Sequence, residues 1–236
     1  MRLTALQLPA RFGEARQQLA FAEALLEGGP ATDLVLFNEA ALTGYVSTAQ
    51  DFDLTPFAEP LEGPTRAALQ HLARRFDCLV VGPLVEREED RCFNAILGVA
   101  PDGQTLLHYR KHHPWFPETW ATKGATPGTL VTWRGVQLLP AICFDVHFLT
   151  ADAGPLLDAA DLLLFASAWV DDEGEGDSRT PILEALAAQH HVAVLNANWG
   201  PGTPRVPGQG GSMFVEASGQ VRTRMSTASG RLDVLW

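Results

Sequence analysis

Three residues of different chemistry each follow a segment that reads as a strand. Glu39 follows Leu34–Phe37, Lys111 follows residues 105–109, and Cys143 follows Val136–Ile142. A carboxylate can move a proton, an ammonium can hold a developing anion, and a thiol can attack a carbonyl carbon. Each has a plainer reading when taken singly. A Glu ending a strand is commonly a solvated cap, a Lys there is commonly surface, and a Cys after an apolar run is commonly inert core. In α/β sheets, however, ligands bind at the carboxyl ends of strands. A base, a cation and a nucleophile at three strand ends are what a convergent site needs.

The elements that must position them alternate along the chain. Residues 3–8 read as a strand, and residues 14–26 as an Ala/Leu-rich helix stopped by Gly28-Gly29-Pro30. Leu34–Phe37 is wholly apolar, as a strand covered on both faces should be. Pro64 opens a second helix that reaches Phe76, followed by a strand at 78–85. Two hairpins are predicted, one turning at Pro101-Asp102-Gly103 and one at Arg134-Gly135. After Cys143 come a helical stretch to about Ala160, a buried strand at 162–165, a helix at 181–190 and a strand at 192–196. Three short strands near 212–216, 221–225 and 231–235 close the chain. Strands mixed with helices throughout point to one layered α/β unit spanning 1–236, with no internal sequence repeat. Residues 43–61, 112–128 and 170–180 read as loops. The last holds Asp171, Asp172, Glu173, Glu175 and Asp177, and reads as a solvated loop rather than a metal-binding one. Residues 200–211 carry five Gly and three Pro and read as a flexible flap.

Composition narrows the function. Over 236 residues, 46% are hydrophobic and 19% charged, an ordinary globular balance. Seventeen Lys and Arg against 28 Asp and Glu give a formal charge of −11. So acidic a chain offers no footprint for a phosphate backbone or an anionic membrane. No run of 18 apolar residues exists, since Asp161 interrupts the longest candidate at 159–170. The N-terminus alternates like a strand and lacks a signal-peptide apolar core, which predicts a cytoplasmic setting. Cys78, Cys92 and Cys143 match neither a disulfide framework nor a zinc site, so each is a buried hydrophobe or a reactive thiol.

The surrounding blocks carry a resemblance. Leu34-Val-Leu-Phe-Asn-Glu39-Ala-Ala-Leu-Thr-Gly-Tyr45, His108-Tyr-Arg-Lys111-His-His113 and Leu139-Pro-Ala-Ile-Cys143-Phe-Asp145 appear in that order. Asp161-Leu-Leu-Leu-Phe-Ala-Ser-Ala-Trp169 and Gly211-Ser-Met-Phe-Val215, with a trailing Gly219, complete the series. In order and spacing the chain resembles the nitrilase superfamily, the carbon–nitrogen hydrolases, over nearly its whole length. The resemblance implies a four-layer αββα sandwich with two mixed β-sheets, often paired as a homodimer, and a catalytic set of Glu39, Lys111 and Cys143. It also implies a second Glu after the Lys, here Glu118 in a Pro-rich loop. Asn38 stands where a Pro is common before the Glu. Leu186 and Gln189-His190 stand where an Arg and a Glu-Asn pair are frequent.

The implied chemistry is hydrolysis of a small non-peptide amide through a cysteine thioester, with no metal or organic cofactor. Lys111 would favour the Cys143 thiolate, and Glu39 would take the proton. Lys111 and the Phe144 N–H would hold the oxyanion. Glu39 would protonate the departing amine and then activate water, with Glu118 orienting Lys111 or the water. Trp115 and Trp169, with Phe144 and Tyr45, are the expected substrate-pocket residues, since pockets are mostly apolar with few polar groups. A nitrile or N-carbamoyl substrate is the alternative within this chemistry. Three further readings compete. His147, four residues after Cys143, allows a Cys–His hydrolase. His112, His113 and Glu118 allow a metal cluster, although adjacent His residues on a strand would point apart. A nitrilase-like scaffold retained for binding is the third.

Overall fold

The computed structural model describes residues 1–174 and 176–236, so Glu175 of the acidic loop lies outside the described residues. The first half runs β1 (Arg2–Gln7), β2 (Pro9–Arg11), α1 (Ala15–Glu27), β3 (Leu34–Phe37), α2 (Pro64–Phe76), β4 (Leu79–Glu88), β5 (Arg91–Val99) and β6 (Thr105–Arg110). The second runs β7 (Val131–Trp133), β8 (Val136–Ile142), a 3-10 turn at Cys143–His147, α3 (Leu149–Ala159), β9 (Leu162–Ser167), α4 (Arg179–His190) and β10 (Ala193–Asn198). It closes with β11 (Gly200–Thr203), β12 (Met213–Val215), β13 (Val221–Arg224) and β14 (Gly230–Leu235).

Two six-stranded sheets result, ordered β14-β1-β3-β4-β5-β6 and β13-β12-β10-β9-β8-β7. Both are mixed. β1, β3 and β4 are parallel in the first, and β8, β9 and β10 in the second, with antiparallel strands outside them. Helices α1 and α2 cover the outer face of the first sheet, α3 and α4 cover the second, and the sheets meet through β1, β3, β9 and β10. This is the expected αββα sandwich.

The two-residue period of a strand explains why β3 carries no polar residue. Leu34 and Leu36 point into the core between the sheets, while Val35 and Phe37 point into the core under α1 and α2. Each fully buried side chain of this size contributes about 1.5–3 kcal/mol. Helix α2 begins with Pro64 in its first turn, where the missing N–H costs nothing, and stops at Asp77 with φ +51°.

Both predicted hairpins form, as β5/β6 and β7/β8. The 200–211 segment is a correction. It is no loose flap, because it begins as β11, which pairs with β2. The Gly200 N–H donates to the Leu8 carbonyl (2.6 Å), and Asn198 Nδ2 donates to the carbonyls of Gly208 and Gly210 (both 2.8 Å). Neither β2 nor β11 was legible, because each is too short to show a period and earns its place only from the other. No described helix is long and apolar enough to cross a membrane.

Gly44 closes the turn behind Glu39. Its φ is +76°, and a Cβ there would lie 2.6 Å from the Arg11 carbonyl oxygen. Gly44→Ala is expected to lower unfolding free energy by roughly 2 kcal/mol or more, from left-handed strain and a backbone clash together. Urea denaturation of the variant measures it, and an unchanged midpoint contradicts the reading.

Candidate active site

Glu39 stands one residue beyond Asn38 at the end of β3, and Ala40 turns the chain with φ +49°. Asn38 pins this corner. Its Oδ1 accepts from the Leu8 N–H (3.1 Å), and its Nδ2 donates to the Glu39 carbonyl (3.0 Å). A Pro side chain has neither group, so Asn38 supplies a hydrogen-bonded tie where a Pro would supply ring rigidity. Lys111 follows β6. Its N–H donates to the Asn94 carbonyl on β5, and its carbonyl accepts from the Gly124 N–H (both 2.8 Å). Cys143 leaves β8 with φ +45°, a left-handed conformation that few residues with a Cβ adopt.

Asp145 ties these segments together. Its carboxylate accepts from Tyr109 Oη (2.8 Å), the Ile142 N–H (3.0 Å) and the His113 N–H (2.8 Å). One buried carboxylate thus joins the end of β6, the strand ahead of Cys143 and the loop after Lys111. Burial nevertheless lifts the Asp145 pKa above its ordinary value, against these hydrogen bonds and the Lys111 charge.

The charged groups converge on Lys111, whose side chain is fully buried. Its Nζ donates to Glu39 Oε1 and to Glu118 Oε2, each at 2.7 Å. Asn94 Nδ2 donates to both carboxylates as well, at 2.8 Å to Glu39 and 2.6 Å to Glu118. Glu39 Oε2 accepts from the Ala168 N–H (2.9 Å), and Glu118 Oε2 from the Trp115 N–H (2.6 Å). Burial alone would lower the Lys111 pKa, but the two carboxylates outweigh it and hold the ammonium protonated. Glu118 is pushed upward by burial, with Lys111 opposing and Glu39 reinforcing the rise.

The Cys143 thiol shares this environment. Burial, reinforced by the Glu39 carboxylate, pushes its pKa well above the ordinary thiol value, and Lys111 and the Ala168 N–H only partly oppose the rise. The Lys111 charge does favour the thiolate, as expected, but burial and the Glu39 carboxylate outweigh it.

Cys143 opens onto a cavity of ≈ 200 Å³ walled by Trp115, Phe144 and Trp169, with His147, Ser178 and Ile182 beside them. Three of the four expected substrate contacts thus meet there. The fourth, Tyr45, does not line the cavity. It lies buried beneath the ion cluster with its ring 6.0 Å from Lys111 Nζ, and its hydroxyl has no hydrogen-bond partner among the described residues. Burial and the neighbouring Glu118, Glu39 and Cys143 keep that phenol protonated. Trp169 is braced by its Nε1, which donates to Asp171 Oδ1 (2.9 Å) and Ser178 Oγ (3.0 Å).

The metal grouping is corrected. Glu118 belongs to the Lys111 cluster, while Asp152 joins His112 and His113, with ligand atoms within 4.8 Å of one another. Their rings meet edge to face at 4.8 Å rather than pointing apart, because Lys111–His113 lies beyond the end of β6. His113 Nε2 and Asp152 Oδ2 form a 2.6 Å pair. Cys78 is buried beside the helix-facing core, and burial pushes its pKa to about 12, as for an inert thiol. Asn94 and the Ala168 N–H escaped the sequence reading. Asn94 left one usable sign, a lone amide within the apolar strand Phe93-Asn-Ala-Ile-Leu97. A backbone N–H leaves none.

A family model described as carbon–nitrogen hydrolase matches residues 2–230. An (R)-stereoselective amidase of Pseudomonas is 31% identical over 94% of this chain and 79% of its own length. An omega-amidase of Yersinia enterocolitica, YafV, is 27% identical over 95% of this chain and 84% of its own. Among solved structures, XC1258 of Xanthomonas campestris, described as a CN-hydrolase superfamily protein with an arsenic adduct in its active site, superposes with TM-score 0.85. It is 22% identical and covers 99% of this chain and 89% of its own.

Removing the central cation should be destructive in a pH-dependent way. Lys111→Met leaves two buried carboxyls without their counter-ion, a loss of about 3–5 kcal/mol near pH 8. Burial raises a folded-state carboxyl pKa above the unfolded value, so the protonated folded form is favoured at low pH and stability falls as pH rises through that pKa. The deficit against the parent should therefore shrink towards pH 5. Urea titrations at the two pH values test it, and a deficit that widens on acidification contradicts it.

Proposed function

The chain belongs to the carbon–nitrogen hydrolase family, and from this premise we propose that it hydrolyses small linear amides to a carboxylic acid and ammonia or an amine through a thioester on Cys143. The observation that carries the reading is the single Lys111 ammonium shared at 2.7 Å by Glu39 and Glu118, beside a thiol that opens onto a cavity. The amidase names of the relatives support an amide over a nitrile or N-carbamoyl compound.

The steps follow from proton inventory. Glu39 takes the thiol proton as Sγ bonds to the carbonyl carbon, which avoids stabilising a free thiolate in a buried site. An ammonium has three protons, and two are committed to Glu39 and Glu118. The third, with the Phe144 N–H, receives the oxyanion. Glu39 then returns its proton to the leaving nitrogen as the C–N bond breaks. Water attacks the thioester with Glu39 again as base, the C–S bond breaks, and the thiol regains its proton. Glu118 and Asn94 hold Lys111 and Glu39 in register. We further read residues 1–236 as one hydrolase unit, working as a cytoplasmic homodimer; its three cysteines are free and buried, and light scattering reports the dimer.

Ammonia release from a panel of amides, nitriles and carbamoyl compounds tests the reading, with Cys143→Ala as the blank. Cys143→Ala should be inactive. Glu39→Gln should fall by about 10²–10⁴. His147→Ala should keep measurable turnover, and EDTA should leave the rate unchanged. Full activity in Cys143→Ala ends the thioester mechanism. Loss in His147→Ala with survival of Glu39→Gln reassigns the base.

A further inference from the structure

We propose that this site takes amides whose acyl group is uncharged and apolar, refuses those whose acyl chain ends in a carboxylate, and that His147 is the residue that sets this choice. The inference rests on the amide-hydrolase reading and names its substrate class.

The cavity wall is apolar wherever an acyl chain would lie. Trp115, Phe144, Trp169, Val170 and Ile182 form it, and its polar members other than Cys143 are His147 and Ser178. Ser178 has one proton, which Oγ donates to Asp171 Oδ1 (2.5 Å) while accepting from Trp169 Nε1. It has no donor left for an anion. His147 hydrogen-bonds to none of the described residues, and its ring stands 5.1 Å from Phe144 and 5.7 Å from Trp169. Partial burial pushes its pKa below the ordinary value, so it is an uncharged imidazole at neutral pH.

Among the described residues, no lysine or arginine lines this wall. Lys111 gives two protons to carboxylates. Arg179 is buried outside the wall, where Nη2 donates to the carbonyls of Gly210 (2.9 Å) and Gly211 (3.0 Å). The nearest fixed charge behind Trp169 and Ser178 is negative, the Asp171 carboxylate. A carboxylate entering here would lose its hydration with no counter-ion among the described wall residues and face a like charge. An uncharged chain would instead gain from covering aromatic surface. Position 147 is the opening in this arrangement, since it lies on the wall with free ring nitrogens. A guanidinium there would present a fork that a carboxylate fits.

The experiment compares butyramide with succinamate, two four-carbon amides that differ by a terminal carboxylate, in the parent and in His147→Arg. The parent kcat/KM should favour butyramide by at least about 100-fold. His147→Arg should narrow that ratio at least tenfold, mainly through a lower KM for succinamate, and thermal melting checks that it folds. A second readout does not need turnover. Butyramide should slow iodoacetamide labelling of Cys143, followed by peptide mass spectrometry, at concentrations where succinamate does not. If neither compound releases ammonia but protection still follows charge, the amide reading fails and the pocket assignment stands. Comparable use of both compounds by the parent, or equal protection, overturns the proposal and turns attention to the unpaired Nε and Nη1 of Arg179. A parent preference that His147→Arg leaves unmoved overturns the role of His147.

Discussion

A lysine ammonium with no solvent contact, held between two carboxylates, is the constraint that the rest of the site obeys. Burying one ion is costly, and burying three is tolerable only when every charge has a counter-charge or a hydrogen-bond donor. The partners are supplied in full. Asn94 bridges both carboxylates, the Ala168 N–H completes Glu39, and the Trp115 N–H completes Glu118. These donors come from β5, from the end of β9 and from the loop after Lys111, so the ion cluster fixes where three separate parts of the chain must meet. Moving any one of them leaves a charge uncompensated.

The same cluster sets the surroundings of the Cys143 thiol. A deep site with a carboxylate beside the sulfur disfavours a resting thiolate, and one shared ammonium is too little to reverse that. The thiol and the Glu39 carboxylate stand in one buried cluster. Asp145 keeps that geometry by holding Tyr109, Ile142 and His113 at once, which locks the turn at Cys143 to the segment that delivers Lys111. The left-handed backbone at Cys143 is sustained by this over-determination.

The scaffold explains why the groups converge. Each sheet carries three parallel strands wound through two helices, β1-α1-β3-α2-β4 in one and β8-α3-β9-α4-β10 in the other. Glu39 leaves the carboxyl end of β3, Cys143 that of β8 and Trp169 that of β9, so each sheet delivers its reactive groups where ligands bind in such folds. Stacking the sheets through β1, β3, β9 and β10 brings those ends side by side. The 208–211 strap is anchored beside the Trp169 backbone. Asn198 makes the link, accepting from the Trp169 N–H and donating to Gly208 and Gly210.

Much of this was written in local pattern. The apolar runs at Leu34–Phe37 and Val136–Ile142, the Pro-started helix Pro64–Phe76 and the two Gly-bearing hairpin turns follow from periodicity and turn chemistry that act over a few residues. Glu39, Lys111 and Cys143 stood out because each follows a segment that reads as a strand. What adjacent residues do not encode is which distant atom completes a buried polar group. Asn94, Asp145, the Ala168 N–H and the pairing of β2 with β11 acquire their roles only once two sheets stack, because burial turns an ordinary amide or carboxylate into an obligatory partner. The protonation of Cys143 belongs with them. Residue type names a thiol, but the balance of desolvation and two carboxylates against one cation exists only in the assembled interior.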